Sequence, residues 1–181
     1  MSNPISIKQL YMPGINNGTL AGLASYALYI ILYALGYSPL LDWRYLGIWI
    51  PFLFIYLSIR KTKKLINPEP LTFGRSFYTG IVTTFFMSSL KGILIYLTII
   101  LSGEGIIDQY FEALQKIVDE SKMNGEAILP ILQDLPAMRK QFDADMLGVM
   151  EFNLHFFGGA IASIILSFFL RVKKKNASLT A

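Results

Sequence analysis

The sequence predicts an all-α integral membrane protein with four transmembrane helices, arranged as two antiparallel hairpins. Hydrophobic residues make up 54% of the 181 residues and charged residues only 15%, far less charge than a soluble domain carries. Four apolar runs approach the roughly 20 residues that cross a bilayer. The basic residues lie at the ends of these runs, as membrane flanks do, so the lipid bilayer is the expected partner and nucleic acid is not.

The chain length predicts a single membrane domain over residues 1–181. The second apolar run is free of charged residues only from Tyr45 to Ile59. It therefore crosses the bilayer only if Trp43 and Arg44 lie at one interface and Arg60 at the other. Pro51 lies inside this run and predicts a kink. The predicted spans are about 19–37, 43–60, 77–101 and 151–170, with a helical insertion at about 103–150.

The distribution of Lys and Arg predicts the orientation, because positive residues flank spans on the cytoplasmic side. Both termini and the loop between spans two and three are therefore expected in the cytoplasm, and the acidic insertion outside. The predicted cytoplasmic anchors are Arg60, Lys61, Lys63, Lys64, Arg75, Arg171, Lys173, Lys174 and Lys175.

The insertion is predicted to be helical, because its apolar residues recur every three or four positions. A first helix is expected to end near Met123, before Asn124–Gly125, and a second to follow Asp134 with Pro136 in its first turn. Their apolar stripes either roof the bundle or form a docking surface for a protein partner. These stripes are Ile107, Tyr110, Phe111, Leu114, Ile117 and Val118, then Met138, Phe142, Met146 and Leu147.

Three ionisable residues are expected in or at the edge of the predicted spans. Lys91 lies sixteen positions after Arg75, and His155 sixteen positions before Arg171, so both sit about 24 Å from the cytoplasmic ends. Glu151 precedes His155 by four positions and shares its helix face. Because a charge in hydrocarbon is costly, we expect Lys91, Glu151 and His155 to form one intramembrane polar cluster.

The cluster has two interpretations. It either neutralises Lys91 and locks spans three and four together, or forms a proton or anion site in which His155 titrates. Glu151 and His155 are too few ligands for a metal. With no cysteine and no second intramembrane acid, no catalytic, cofactor-binding or metal site is predicted.

Small residues predict where helices pack closely. Gly18 and Gly22 form a small-xxx-small step in span one, and Gly158, Gly159 and Ala162 form similar steps in span four. Such steps predict packing inside the bundle, and a homo-oligomer stays open.

Short motifs resemble a bacterial membrane family, domain of unknown function 4199, mostly from Bacteroidota. They are Ser58–Arg60, Leu71–Phe77 with Gly80–Ile81, the glutamate Glu151 opening the last span, and its basic end, Arg171–Lys175. The resemblance extends from about Leu20 to Lys175 and implies an inner-membrane location and four spans, with no known activity. The sequence departs from the family where Asn153, Leu154 and His155 replace an expected proline.

Two functions follow as alternatives. The favoured one is a non-enzymatic accessory or interaction component with an acidic periplasmic helical segment and no cofactor. The other is a subunit of a small oligomeric transporter or channel that uses Lys91, Glu151 and His155. Whether these side chains line a wet cavity or a dry interface distinguishes the two.

Overall fold

The structure is a computed structural model that describes residues 6–38, 40–41, 47–67, 69–125, 132 and 134–171. These residues form six α-helices and no strand, as the all-helical class predicts. Three of the six, the first, third and sixth, are long and apolar enough to cross a membrane. The helices are α1 (Ile7–Ala34), α2 (Trp49–Leu65), α3 (Phe73–Ser102), α4 (Gly105–Met123), α5 (Leu135–Gln141) and α6 (Ala144–Leu170).

Helix α2 differs from the predicted second span, and it is not among the three apolar helices. Its apolar part, Trp49–Ile59, is followed by four basic residues and is only about 16 Å long. The beginning of the predicted span, 43–46, lies outside the described residues. The kink predicted at Pro51 is wrong, because Pro51 lies in the first turn of α2, where its missing N–H removes no helical hydrogen bond.

Helix α1 begins twelve residues before the predicted span. Ser6 caps it, and the Gln9 side chain accepts a hydrogen bond from the Ser6 N–H at 3.0 Å. The charge-free run that set the predicted start at Thr19 marks only the apolar part of the helix. The more polar first turns stay helical because they pack on α3, where Thr79 Oγ1 donates to the Leu10 carbonyl at 3.0 Å.

A stripe of glycines brings α1 against α3 in parallel orientation. A Cβ at Gly18 would lie 2.5 Å from the Thr83 carbonyl oxygen, and one at Gly22 would lie 3.0 Å from Leu90 Cβ. Gly14, which was not predicted as a packing residue, extends the stripe by one turn. A Cβ added there would lie 2.9 Å from a Val82 methyl group. A Cβ at Gly18 would clash with the α3 backbone, and a Cβ at Gly14 or Gly22 would require its neighbours on α3 to shift.

Helix α6 packs antiparallel on α3 through a second set of small residues. A Cβ at Gly159 would lie 2.5 Å from Thr84 Cγ2, and one at Gly92 would lie 2.9 Å from the Gly148 carbonyl. Ala162 is fully buried. The packing predicted at Gly158 is not found, because Gly158 points away from α3 and has no atom within 4 Å of its Cβ position.

Helix α2 runs antiparallel to α1 and α3 and also contacts α6. Ser58 Oγ donates to the Pro13 carbonyl of α1 at 3.3 Å, and Thr79 Oγ1 of α3 donates to Thr62 Oγ1 at 3.3 Å. Helix α3 contacts α1, α2, α4 and α6, most extensively α1 and α6, and is therefore the centre of the molecule.

Helix α4 covers one end of this assembly. It ends at Met123 as predicted, and Gly125 follows with a φ of 69°. Its apolar face belongs to one buried core cluster with Ile95 and Ile99 of α3 and Leu147 of α6. The apolar stripe of α4 therefore roofs the long helices, the first of the two interpretations. Its buried residues are Ile106, Ile107, Phe111, Leu114 and Val118.

The second part of the insertion differs from the prediction in one respect. Helix α5 starts as expected, with Asp134 accepting a hydrogen bond from the Ala137 N–H at 3.1 Å. It ends at Gln141, and Asp143 caps a new helix by accepting from the Met146 N–H at 2.8 Å. Met146 and Leu147 therefore belong to α6. This helix begins seven residues before the predicted 151, because Asp143 caps it there.

Arg139 holds α5 to α4. Its guanidinium donates to Asp108 at 2.7 Å, to Glu104 and to the Phe142 carbonyl at 3.2 Å. The hydrogen bonds to Glu104 and Asp108 raise the pKa of Arg139 above its usual value, so the guanidinium keeps its charge.

Enlarging the contact between α1 and α3 tests the packing. We expect Gly18→Val to lower the free energy of unfolding by about 1–3 kcal/mol, because the added methyl groups meet the Thr83 carbonyl. Gly74→Val is the matched control, since Gly74 is helical and has open space around its Cβ position. Thermal unfolding in detergent measures both, and an equal effect of the two variants would contradict the close approach.

Candidate functional site

The structure brings together the three ionisable residues that the sequence analysis grouped. Lys91 Nζ of α3 lies 2.7 Å from Glu151 Oε2 and 2.9 Å from His155 Nε2, both of α6. The equal sixteen-residue spacing from the basic ends predicts this meeting, because α3 and α6 run antiparallel. The four-residue step from Glu151 to His155 places both side chains on the face towards Lys91.

When Lys91 carries its charge, the contacts of the imidazole fit a neutral ring. An ammonium group has only donors, so His155 Nε2 accepts from Lys91. His155 Nδ1 therefore carries the proton, and it lies 3.0 Å from the Glu151 carbonyl oxygen of the preceding turn. His155 is neutral in this arrangement, and the Lys91 and Glu151 charges cancel.

The ion pair is almost fully removed from the surface. Lys91 is 7% exposed and Glu151 3% exposed, and the Tyr29 ring of α1 lies under the ammonium, with its centroid 5.5 Å from Nζ. A cation at this distance from an aromatic face is attracted to it. Removing one charge of such a buried pair leaves the other uncompensated, which costs about 3–5 kcal/mol.

A cavity of about 410 Å³ lies beside the cluster, between α1, the start of α2, and α6. Its volume is within the range of small-molecule sites. Lys91, Glu151, His155, Ser25 and Tyr29 supply its polar side chains. Its apolar side chains are Leu28, Leu32, Ile48, Pro51, Phe52 and Leu154.

Two hydroxyl groups of the cavity lining have no hydrogen-bond partner among the described residues. They are Ser25 Oγ and Tyr29 Oη, on residues that are 5% and 3% exposed. A buried polar group left without a partner costs about 1–3 kcal/mol. Tyr29 was not among the predicted site residues, although Gly18, Gly22, Ser25 and Tyr29 repeat every three or four residues and so share one face of α1.

Gly158, whose predicted packing is not found, is also part of this cavity. Asn153, the first of the three residues at which the sequence departs from the family pattern, is exposed and Leu154 and His155 line the cavity. Within the described part of the chain, no group of three or more His, Asp and Glu side chains is placed to share a metal ion.

The predicted cytoplasmic anchors lie at one end of the long helices. Arg60, Lys61, Lys63 and Lys64 are in the last turns of α2, Arg75 is in the first turn of α3, and Arg171 caps the end of α6. Because α2 and α6 run antiparallel to α3, the last turns of α2 and α6 lie at the same end of the molecule as the first turn of α3. Lys173, Lys174 and Lys175 lie outside the described residues.

Comparison with family models gives a match. A family model described as "Protein of unknown function (DUF4199)" matches residues 16–172, which confirms the resemblance carried by the sequence motifs. Neither the curated proteins nor the solved structures contain a match.

A double-mutant cycle tests the ion pair. We expect Lys91→Met and Glu151→Gln each to lower the free energy of unfolding by about 3–5 kcal/mol, and the double variant to lose less than either single variant. Thermal unfolding in detergent measures the coupling. Lys116→Met, on the exposed face of α4, is the control and should leave the stability unchanged. Additive effects of the two single variants would contradict a direct pair.

Proposed function

The chain belongs to the family of unknown function DUF4199, and we propose that it is a non-enzymatic accessory protein of the bacterial inner membrane. The proposal includes four crossings, both termini in the cytoplasm, and α4 and α5 on the periplasmic side. The observation that carries it is the buried ion pair between Lys91 and Glu151, which joins α3 to α6.

The parallel packing of α1 and α3 supports the fourth crossing. Leu10 meets Thr79 near one end of this pair, and Tyr26 meets Thr98 nearer the other, with 2.6 Å between the hydroxyl oxygens. If α1 and α3 both cross a membrane in the same direction, the chain between them has to return. Helix α2 runs in that returning direction.

The basic residues support the proposed orientation. The end that carries Arg60, Lys63, Lys64, Arg75 and Arg171 is the one that the positive-inside rule assigns to the cytoplasm. Helix α4 lies near the opposite ends of α1, α3 and α6, so in this proposal it is on the periplasmic side.

The geometry of the cluster supports a structural role. Lys91 and Glu151 neutralise each other at 2.7 Å, next to the close approach of Gly92 and Gly148. A pair placed beside a close helix contact fixes the register of α3 against α6. A rigid membrane scaffold with a roofed periplasmic end fits an accessory component.

The outer surface of α4 is where a protein partner would bind in this proposal. Apart from Ile117, which is 39% exposed, the apolar stripe of α4 is largely covered, so the free surface is mainly the charged side. Glu112, Asp119 and Glu120 are exposed there with Lys116 between them. This acidic surface fits a partner with a basic surface.

Single-cysteine labelling tests the topology, because the chain has no cysteine. We expect Tyr37→Cys and Asn124→Cys to react with a membrane-impermeant maleimide in intact spheroplasts, and Asn67→Cys to react only after lysis. All three positions are exposed. The reason is that α2 carries the chain from the outer side at Tyr37 to the inner side at Asn67. Labelling of Tyr37→Cys and Asn67→Cys from the same side would rule out a crossing by α2.

A second function, a subunit of a small oligomeric transporter or channel, is favoured by one observation. His155 contacts Lys91 of the ion pair at 2.9 Å and lines the cavity together with Lys91 and Glu151. A histidine in this position is suited to exchange protons with a cavity.

Ion flux in proteoliposomes distinguishes the two functions. For an accessory protein we expect the pH inside vesicles, followed with a trapped dye after an acid pulse, to change no faster than in protein-free vesicles. A transporter gives a faster change in the wild type that His155→Gln abolishes and Lys116→Met retains. A fast change retained by Lys116→Met and lost in His155→Gln would overturn the accessory role.

A further inference from the structure

The cavity is reached from the side of the molecule. Three of its lining residues are exposed, Ile48 at 51%, Leu154 at 45%, and Gly158. They come from the start of α2 and from α6, so the cavity opens between these two elements. The end of the long helices next to α4 is closed, because α4 shares a buried core cluster with α3 and α6 there. A molecule dissolved in the surrounding lipid therefore has direct access to the cavity.

The polar atoms of the cavity are suited to hydroxyl and carbonyl groups. Ser25 Oγ and Tyr29 Oη are buried and have no partner among the described residues. Their residues are one helical turn apart on α1, and both residues line this cavity. Each hydroxyl can donate one hydrogen bond and accept others, so a ligand with a hydroxyl and a carbonyl oxygen would satisfy both.

The charge of the cavity favours an uncharged ligand. The Lys91 and Glu151 charges cancel at 2.7 Å, and His155 is neutral when it accepts from Lys91. An anion would meet the Glu151 carboxylate, and a cation would meet the Lys91 ammonium. The remaining lining is apolar, from Leu28 and Leu32 of α1 to Phe52 of α2, and fits a hydrocarbon segment.

We propose that this cavity binds the head of a neutral, single-tailed lipid that carries hydroxyl and carbonyl groups. The head hydrogen-bonds to Ser25 and Tyr29, the first carbons of the tail lie against the apolar lining, and the rest of the tail leaves between α2 and α6. The proposal holds for an accessory protein and for a transporter subunit alike.

Three probes with the same tail test the head-group preference. The purified protein is titrated with 1-monooleoylglycerol, oleate and oleylamine, and native mass spectrometry counts the retained molecules. We expect monooleoylglycerol to bind with a Kd at least about tenfold lower than either charged probe. Stronger binding of oleate or oleylamine would overturn the neutral-ligand proposal.

A cavity-filling variant tests the location. Gly158→Leu adds a side chain where no atom lies within 4 Å and should reduce monooleoylglycerol binding by more than about twentyfold. Gly74→Leu, at a helical glycine with the same open surroundings away from the cavity, is the matched control and should bind as the wild type does. Equal binding by Gly158→Leu and the wild type would place the lipid elsewhere.

Two conservative variants test the polar contacts. Tyr29→Phe and Ser25→Ala each remove one hydroxyl group, and each should weaken monooleoylglycerol binding by about threefold to tenfold. Tyr78→Phe, at an exposed tyrosine of α3, should not. These variants remove a buried hydroxyl that bonds to no described residue, so they are expected not to lower the melting temperature.

Water is the competing occupant of the cavity. If the cavity holds only water, no probe is retained above the Gly158→Leu background, and that outcome overturns the proposal. Failure of the lipid test with correct cysteine labelling would leave the proposed topology intact, and the flux result is independent of both.

Discussion

The placement of one ammonium group constrains the rest of this structure. Lys91 lies in the middle of an apolar helix, where an unpaired charge is prohibitively costly. Glu151 compensates it, His155 accepts a second hydrogen bond, and the Tyr29 ring faces the ammonium from α1. The ammonium of α3 is thus contacted by side chains of α1 and α6. Sliding any of the three helices along its neighbours would separate the charge from these contacts.

The glycine contacts explain how a short carboxylate reaches the lysine. Gly92 follows Lys91 directly, and Gly148 lies one turn before Glu151, so the backbones of α3 and α6 meet beside the ion pair. The stripe of Gly14, Gly18 and Gly22 brings α1 equally close to α3 and delivers Tyr29 on the same face. The small residues and the ion pair therefore depend on each other: close approach allows the pair, and the pair fixes the register of the approach.

The sequence predicted the parts of this arrangement that depend on periodicity and on spacing from fixed points. The cluster could be predicted because Lys91 and His155 are equally distant from basic ends, and α4 because its apolar residues recur at helical intervals. The extent of α1 could not, since its polar first turns are helical only through contact with α3. Gly158 looked like its neighbour Gly159, and the two differ only in which side of α6 they occupy, which depends on tertiary packing. The cavity depends on how far the start of α2 stands from α1 and α6, and no local pattern encodes that distance.

The shortness of α2 has a consequence for the lipid around it. Trp49, at the beginning of this helix, is 75% exposed, and tryptophan settles at the boundary between head groups and hydrocarbon. If α2 is a span, its apolar length is only about half the thickness of a bilayer core, and the leaflet beside it thins to match. Head groups on that flank then lie near the level of Trp49 and Ile48, beside the opening of the cavity. A lipid there would need to move its head group only a short distance, across little hydrocarbon, to pass from the membrane surface into the cavity.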